Sequence, residues 1–236
     1  MKKYNTLFEN EGLRHDATPN YGYWRKALLR IKKHTPEAKF IFILRHPTDR
    51  LKSRCLHNLK SRNVSFGLKK HVRYECAPAI KNGGYYEHLK NWFEQFEPYQ
   101  FKFILLEDLK QDPQKEMNKL ADFLGIEPWE IDFEIKNQSY RYHSLRFQYF
   151  INFLAKLNEP DYLIDDFQTF RKGHRGYRYM EKLLRNARLY NRTNKNKKIS
   201  YSGKFLNQMD SYYELENKGL SDLINIDLKE KWGLDI

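Results

Sequence analysis

The chain has 236 residues, with 43 Lys and Arg against 30 Asp and Glu and a formal charge of +13. At roughly 100–200 residues per domain, one domain spanning 1–236 is expected. Sixteen Phe, 17 Tyr and 4 Trp exclude a disordered chain and predict an aromatic-rich core. The two cysteines, Cys55 and Cys76, form no CxxC pair, so neither a disulfide framework nor a metal site is indicated. No stretch approaches the roughly 18 uncharged apolar residues of a bilayer span, and the opening residues lack a signal peptide's apolar run. A cytoplasmic location is expected.

In chain order, Tyr21, Trp24, Leu28 and Ile31 fall on one helical face, with Asn20 as N-cap and a stop at Thr35-Pro36. The continuous apolar run Phe40-Ile41-Phe42-Ile43-Leu44 predicts a strand buried on both faces, as in a parallel sheet. Pro47 suits the first turn of a following helix carrying Leu51, Cys55 and Leu59. Arg45 is thereby left at a strand's carboxyl end, the edge at which open α/β sheets bind ligands. Leu89, Trp92, Phe93 and Phe96 predict a helix from near Gly84, and 101–106 a second buried strand closed by Glu107-Asp108. Asp112 caps the next helix, Pro113 opens it, Met117, Leu120, Ala121 and Leu124 form its apolar stripe, and Gly125 ends it. This alternation is an α/β grammar, and beyond Pro128 the pattern is mostly helical.

The charge is local. Residues 171–198 hold eleven Lys and Arg and a single acid, Glu181, so ten of the thirteen net charges lie there. Basic residues from Arg171 to Arg192 recur every three or four positions, as do Tyr177, Met180, Leu184 and Ala187, which predicts a basic amphipathic helix followed by a polar linker. Such a segment is either a solvated face or a docking surface for a polyanion.

By residue chemistry, Arg45 at a strand end and Ser53 two turns into the next helix offer cationic and hydroxyl donors suited to a phosphate monoester. The same residues also allow a plain structural pairing of Arg45 with Asp49. The segment Lys39-Phe-Ile-Phe-Ile-Leu-Arg45-His-Pro-Thr-Asp-Arg50-Leu-Lys-Ser53 resembles the 3′-phosphate-binding motif of sulfotransferases that use 3′-phosphoadenosine 5′-phosphosulfate (PAPS). Asp16-Ala-Thr-Pro-Asn-Tyr21, Gly84-Tyr85-Tyr86, Glu107-Asp108-Leu109, Asp112-Pro113, Phe123-Leu124-Gly125 and the carboxyl-terminal Tyr213, Asn217, Leu220 and Trp232 are similar to other segments of that family in the same order. The likeness is greatest to the carbohydrate-type and bacterial branches. It implies a P-loop-NTPase-like parallel sheet flanked by helices, with a mostly helical carboxyl-terminal half. It further implies a PAPS-dependent sulfotransferase, or a descendant of such enzymes, with adenosine 3′,5′-bisphosphate as product and a saccharide or other small hydroxyl compound as acceptor.

The resemblance implies that Arg45 and Ser53 bind the donor's 3′-phosphate. Arg171-Lys-Gly173-His-Arg-Gly176 resembles the Arg-Lys-Gly-x-x-Gly donor element of cytosolic sulfotransferases, implying that Arg171 and Gly173 reach the same phosphate. The family's Gly-rich 5′-phosphosulfate loop has no counterpart here: fifteen residues precede Asp16, with Gly12 alone among them. The expectation is a sulfotransferase body truncated at its amino terminus, without the first strand and donor loop. No catalytic residue is assigned; His15, Asp16 and Glu107 are the nearest bases by motif position. A non-catalytic polyanion- or nucleic-acid-binding protein using 171–198 is the alternative, disfavoured because no nucleic-acid-binding signature accompanies the charge.

Overall fold

A computed structural model describes residues 14–60, 77–132, 141–157, 162–165, 168–171, 175–193 and 201–236. The first half comprises α1 (Arg25–His34), β1 (Phe40–Leu44), α2 (Pro47–Lys60), α3 (Ala77–Lys81), α4 (Tyr85–Phe93), β2 (Phe101–Leu105), α5 (Leu106–Gln111) and α6 (Pro113–Leu124). The second comprises β3 (Arg141–Tyr142), α7 (Leu145–Leu157), β4 (Tyr162–Asp165), β5 (Gln168–Arg171), α8 (Arg175–Tyr190), β6 (Arg192–Thr193), α9 (Gly203–Glu216), α10 (Leu220–Ile224) and α11 (Leu228–Trp232). No helix among the described residues is long and apolar enough to cross a membrane.

β1 and β2 pair in parallel, Phe40 opposite Phe101 through Leu44 opposite Leu105. Successive side chains of a strand alternate between faces, so Phe40, Phe42 and Leu44 share one face with Phe101, Phe103 and Leu105. The Phe end of that face stacks with Phe93, meets Trp92 and Phe96 edge-on and packs on Leu28 of α1. The leucine end is covered by Tyr85 and Leu89 of α4 and by Leu220, Ile224, Leu228 and Trp232 of α10 and α11. The expected burial on both faces is corrected here. Ile41 and Ile43 on the other face are 43% and 59% exposed, because nothing among the described residues covers them, whereas Ile104 on β2 is buried.

Two further differences have local causes. The first helix does not run from Asn20: residues Pro19–Tyr23 form a 3-10 turn, and Trp24, extended and 57% exposed, separates it from α1. Asp16 accepts from Thr18 Oγ1 (2.6 Å) and Tyr21 Oη (3.3 Å), side-chain bonds that favour a turn over a continuing helix. The second half also contains two antiparallel ribbons, β3 with β6 and β4 with β5. Strands of two to four residues are too short to show an alternating pattern.

Where sequence signals were strong, the boundaries match them. Asp112 accepts from the Lys115 N–H at 3.0 Å, Pro113 opens α6, and Gly125 ends it at φ +74°.

Candidate functional site

β1 ends at Leu44, and Pro47, which needs no N–H partner in a first turn, starts α2 three residues later. The link between them is held from two sides. The Tyr85 hydroxyl donates to the Arg45 carbonyl at 2.9 Å. Glu107 takes the His46 N–H on one carboxylate oxygen (3.2 Å) and the Trp232 indole N–H on the other (3.3 Å). Burial pushes the Tyr85 phenol far above its ordinary range, so it stays protonated and remains a donor. The backbone from which the Arg45 side chain projects is therefore fixed by α4, α5 and α11 together.

Beyond this strand end lies a cleft of about 480 Å³, within the range of nucleotide and sugar pockets. Arg45, Arg50, Ser53, Arg54 and His57 line it opposite Tyr23. Pro78, Ala79 and Asn82 of the α3 region and Asn58 also line it, and no Asp or Glu is among its described lining residues. Among the described residues, Arg50 is engaged by neutral groups: it donates to Tyr23 Oη at 2.8 Å and to the Ala79 carbonyl at 3.4 Å. Its charge remains available to a ligand while its position is set.

The structural pairing of Arg45 with Asp49 does not form. Asp49 instead binds Lys52 at 2.8 Å. Partial burial raises the Asp49 carboxyl, but the bond and charge of Lys52, with weaker help from His46 and Arg45, outweigh it and leave its pKa below the ordinary value. Among the described residues, the Arg45 guanidinium and the Ser53 hydroxyl make no hydrogen bond or ion pair.

The structure thus brings Arg45 and Ser53 to one cleft. Arg171 is the last residue of β5, and Gly173 lies outside the described residues. Of the bases nearest by motif position, none lines the cleft. Glu107 holds His46 and Trp232, Asp16 holds Thr18 and Tyr21, and His15 is exposed.

The sequence profile of the sulfotransferase domain family matches residues 25–201, three quarters of the chain and all of the cleft's lining except Tyr23. The chain belongs to this family. Human Sulfotransferase 2A1 is 29% identical over 144 residues, covering 59% of this chain and 49% of the human protein. Mouse heparan sulfate glucosamine 3-O-sulfotransferase 6 is 30% identical over 118 residues, covering 47% of this chain and 34% of its own. The chain spans about half the length, or less, of these relatives. Among solved structures, a sulfotransferase from Alicyclobacillus acidocaldarius covers 98% of this chain and 73% of its own at a TM-score of 0.58. Its 18% identity supports a shared fold. The matches give the nucleic-acid reading of the basic segment no support.

In this sulfotransferase-like chain, the basic helix is less one-sided than its periodicity suggests. On α8, which packs on α7, Lys182 and Arg185 are exposed, but Arg188 is only 6% exposed. Met180, placed on the apolar face by periodicity, is 41% exposed.

Sequence reasoning missed Arg50, Arg54, His57 and Asn58 as cleft residues, although the signal was present. Positions 50, 53, 54, 57 and 58 recur at helical spacing and share a face with Ser53. Tyr23 and Asn82 had no such signal, because long-range packing brings them to α2.

Proposed function

We propose that this chain binds PAPS by its 3′-phosphate between Arg45 and Ser53, with Arg50 adding charge. It transfers the sulfuryl group to a hydroxyl of a saccharide or other small acceptor. In that reaction the acceptor oxygen bonds to sulfur, the bond from sulfur to the 5′-phosphate oxygen breaks, adenosine 3′,5′-bisphosphate leaves, and the hydroxyl proton passes to a base. Arg45 and Ser53 act on the end of the donor remote from sulfur, so their contribution is binding and orientation. The observation that carries the reading is a cleft with no Asp or Glu among its described lining residues, in which Arg45 forms no ion pair with a described residue and faces the same space as Ser53. Arg171 and Gly173 enter the proposal from the resemblance alone, as further contacts to the same phosphate. The one-domain organisation belongs to the same reading.

The test is thermal denaturation with adenosine 3′,5′-bisphosphate. A ligand at a hundred times its Kd stabilises by about 2.7 kcal/mol. A rise in Tm is expected for the wild type, lost in Arg45→Ala and reduced in Ser53→Ala. No rise at millimolar nucleotide refutes the donor site. Transfer from labelled PAPS to a saccharide panel then tests the reaction itself.

A further inference from the structure

The cleft carries more positive charge than one phosphate uses. Resting on the reading above, the donor's 3′-phosphate brings about −1.5 to −2 at pH 7, which Arg45 and Arg50 together balance. Arg54 is left over. It makes no hydrogen bond or ion pair among the described residues, and no Asp or Glu among those residues lines the cleft to neutralise it. His57 lies one turn further along the same face of α2, about 6 Å from Ser53 at 1.5 Å per residue. Asn58 beside it adds an amide, so the polar lining continues beyond Ser53 instead of ending there. A cleft with low-dielectric walls and one sign of charge concentrates anions, and a guanidinium with a nearby imidazole N–H binds an oxyanion through charge-assisted hydrogen bonds.

We propose that Arg54 and His57 form a second oxyanion subsite adjoining that for the donor's 3′-phosphate, and that it selects an acidic acceptor. The acceptor is a hydroxyl compound bearing a carboxylate, sulfate or phosphate, such as an acidic saccharide. A neutral sugar leaves Arg54 without a partner. The acidic group is held by Arg54 while the hydroxyl to be sulfated lies elsewhere on the same molecule.

The test is calorimetric titration in two steps: adenosine 3′,5′-bisphosphate first, then sodium sulfate into the nucleotide-saturated protein at constant ionic strength. Sulfate binding to the saturated wild type is expected. Arg54→Ala should weaken it at least tenfold and His57→Gln about threefold, while the nucleotide Kd of both variants stays within twofold of wild type. If Arg54→Ala weakens the nucleotide tenfold or more, Arg54 serves the donor and the proposal is overturned. Equal sulfate binding by wild type and Arg54→Ala, or none by the saturated wild type, overturns it as well. If the wild type does not bind the nucleotide at all, the donor reading fails by itself. Sulfate titrated into the free protein then decides the subsite separately, again by its dependence on Arg54.

Discussion

Asn217 is fully buried and caps a helix that lies 132 residues earlier in the chain. Its Oδ1 accepts from the backbone N–H of Tyr85 at 2.6 Å and of Tyr86 at 3.3 Å, and its Nδ2 donates to the Gly83 carbonyl at 3.0 Å. Helix α4 needs this help because its own N-cap, Gly84, has no side chain with which to satisfy the first-turn N–H groups. Asn217→Ala leaves the N–H groups of Tyr85 and Tyr86 and the Gly83 carbonyl without this partner, Gly83 and Tyr85 being buried and Tyr86 half-buried. At roughly 1–3 kcal/mol for each unsatisfied buried group, three groups set a ceiling near 9 kcal/mol. Water entering the space left by the amide, and fraying of the first turn, recover part of it, so a loss of about 3–4 kcal/mol is expected. At about 2–4 °C per kcal/mol for a chain of this size, Tm falls by roughly 10 °C in calorimetry at pH 7. Amide exchange at Tyr85 and Tyr86 should accelerate with it. A shift below about 2 °C, with exchange unchanged, refutes the capping role.

Three other expectations rest on neighbouring contacts. A Cβ on Gly83 would stand 2.5, 2.7 and 2.8 Å from Cε1, Cζ and the hydroxyl of Tyr213, a fully buried ring tied to the Ile80 carbonyl at 3.2 Å. Gly83→Ala should therefore destabilise by about 2–3 kcal/mol in urea denaturation, and a neutral effect shows that the ring can yield. Tyr85→Phe keeps the buried ring but removes the bond to the Arg45 carbonyl. It should cost about 1 kcal/mol and weaken adenosine 3′,5′-bisphosphate binding about threefold to fivefold by calorimetry, whereas unchanged affinity would separate Tyr85 from Arg45 positioning. His88 has its pKa lowered by burial first and by the Arg50 charge second, against a weaker opposing pull from Glu87. Its folded value lies below the unfolded value near 6.5, so its contribution is present above about pH 6.5 and is lost as pH falls from there through the depressed folded value. Tm should fall on acidification through this window, less steeply in His88→Phe, which can keep the edge-on contact to Tyr23 at 4.9 Å; an identical slope in the variant counts against His88 as the source.

Legibility followed the range of the interaction. Asp112, Pro113 and Gly125 act on their own helix through capping and left-handed geometry, so α6 was readable to the residue. The strands 40–44 and 101–105 were readable from continuous apolar runs, but an apolar run does not say whether both faces will be covered. Ile41 and Ile43 are exposed for that reason. Arg45 and Ser53 were legible as a motif on a strand end and a helix, and Arg50, Arg54 and His57 were legible in principle from their spacing with Ser53. Tyr23 was not, because its place depends on a 3-10 turn that interrupts the apolar periodicity of residues 21–31. Asn217 was recognised only as part of a family likeness. Nothing in its neighbourhood announces that its amide will cap a helix so far away.

The family profile ends at residue 201, yet much of what fixes the cleft lies beyond it. Asp210 of α9 accepts from the Thr48 hydroxyl in the first turn of α2 at 2.5 Å, which ties down the helix that carries Ser53, Arg54 and His57. Asn217 caps α4 and so holds the Tyr85 hydroxyl under the Arg45 carbonyl. Trp232 shares Glu107 with the His46 N–H, and Lys231 adds an ion pair to Asp108 at 2.9 Å. Leu220, Ile224, Leu228 and Trp232 bury Leu44 and Leu105, the last residues of both strands. A guanidinium on a strand end is useful for binding only if that end does not move, and the two strands paired among the described residues offer few backbone bonds to hold it. Here the restraint comes from side chains of α9, α10 and α11. These helices contribute no residue to the cleft lining, so substitutions in them should act on ligand binding through the position of Arg45 and α2 instead of through contact.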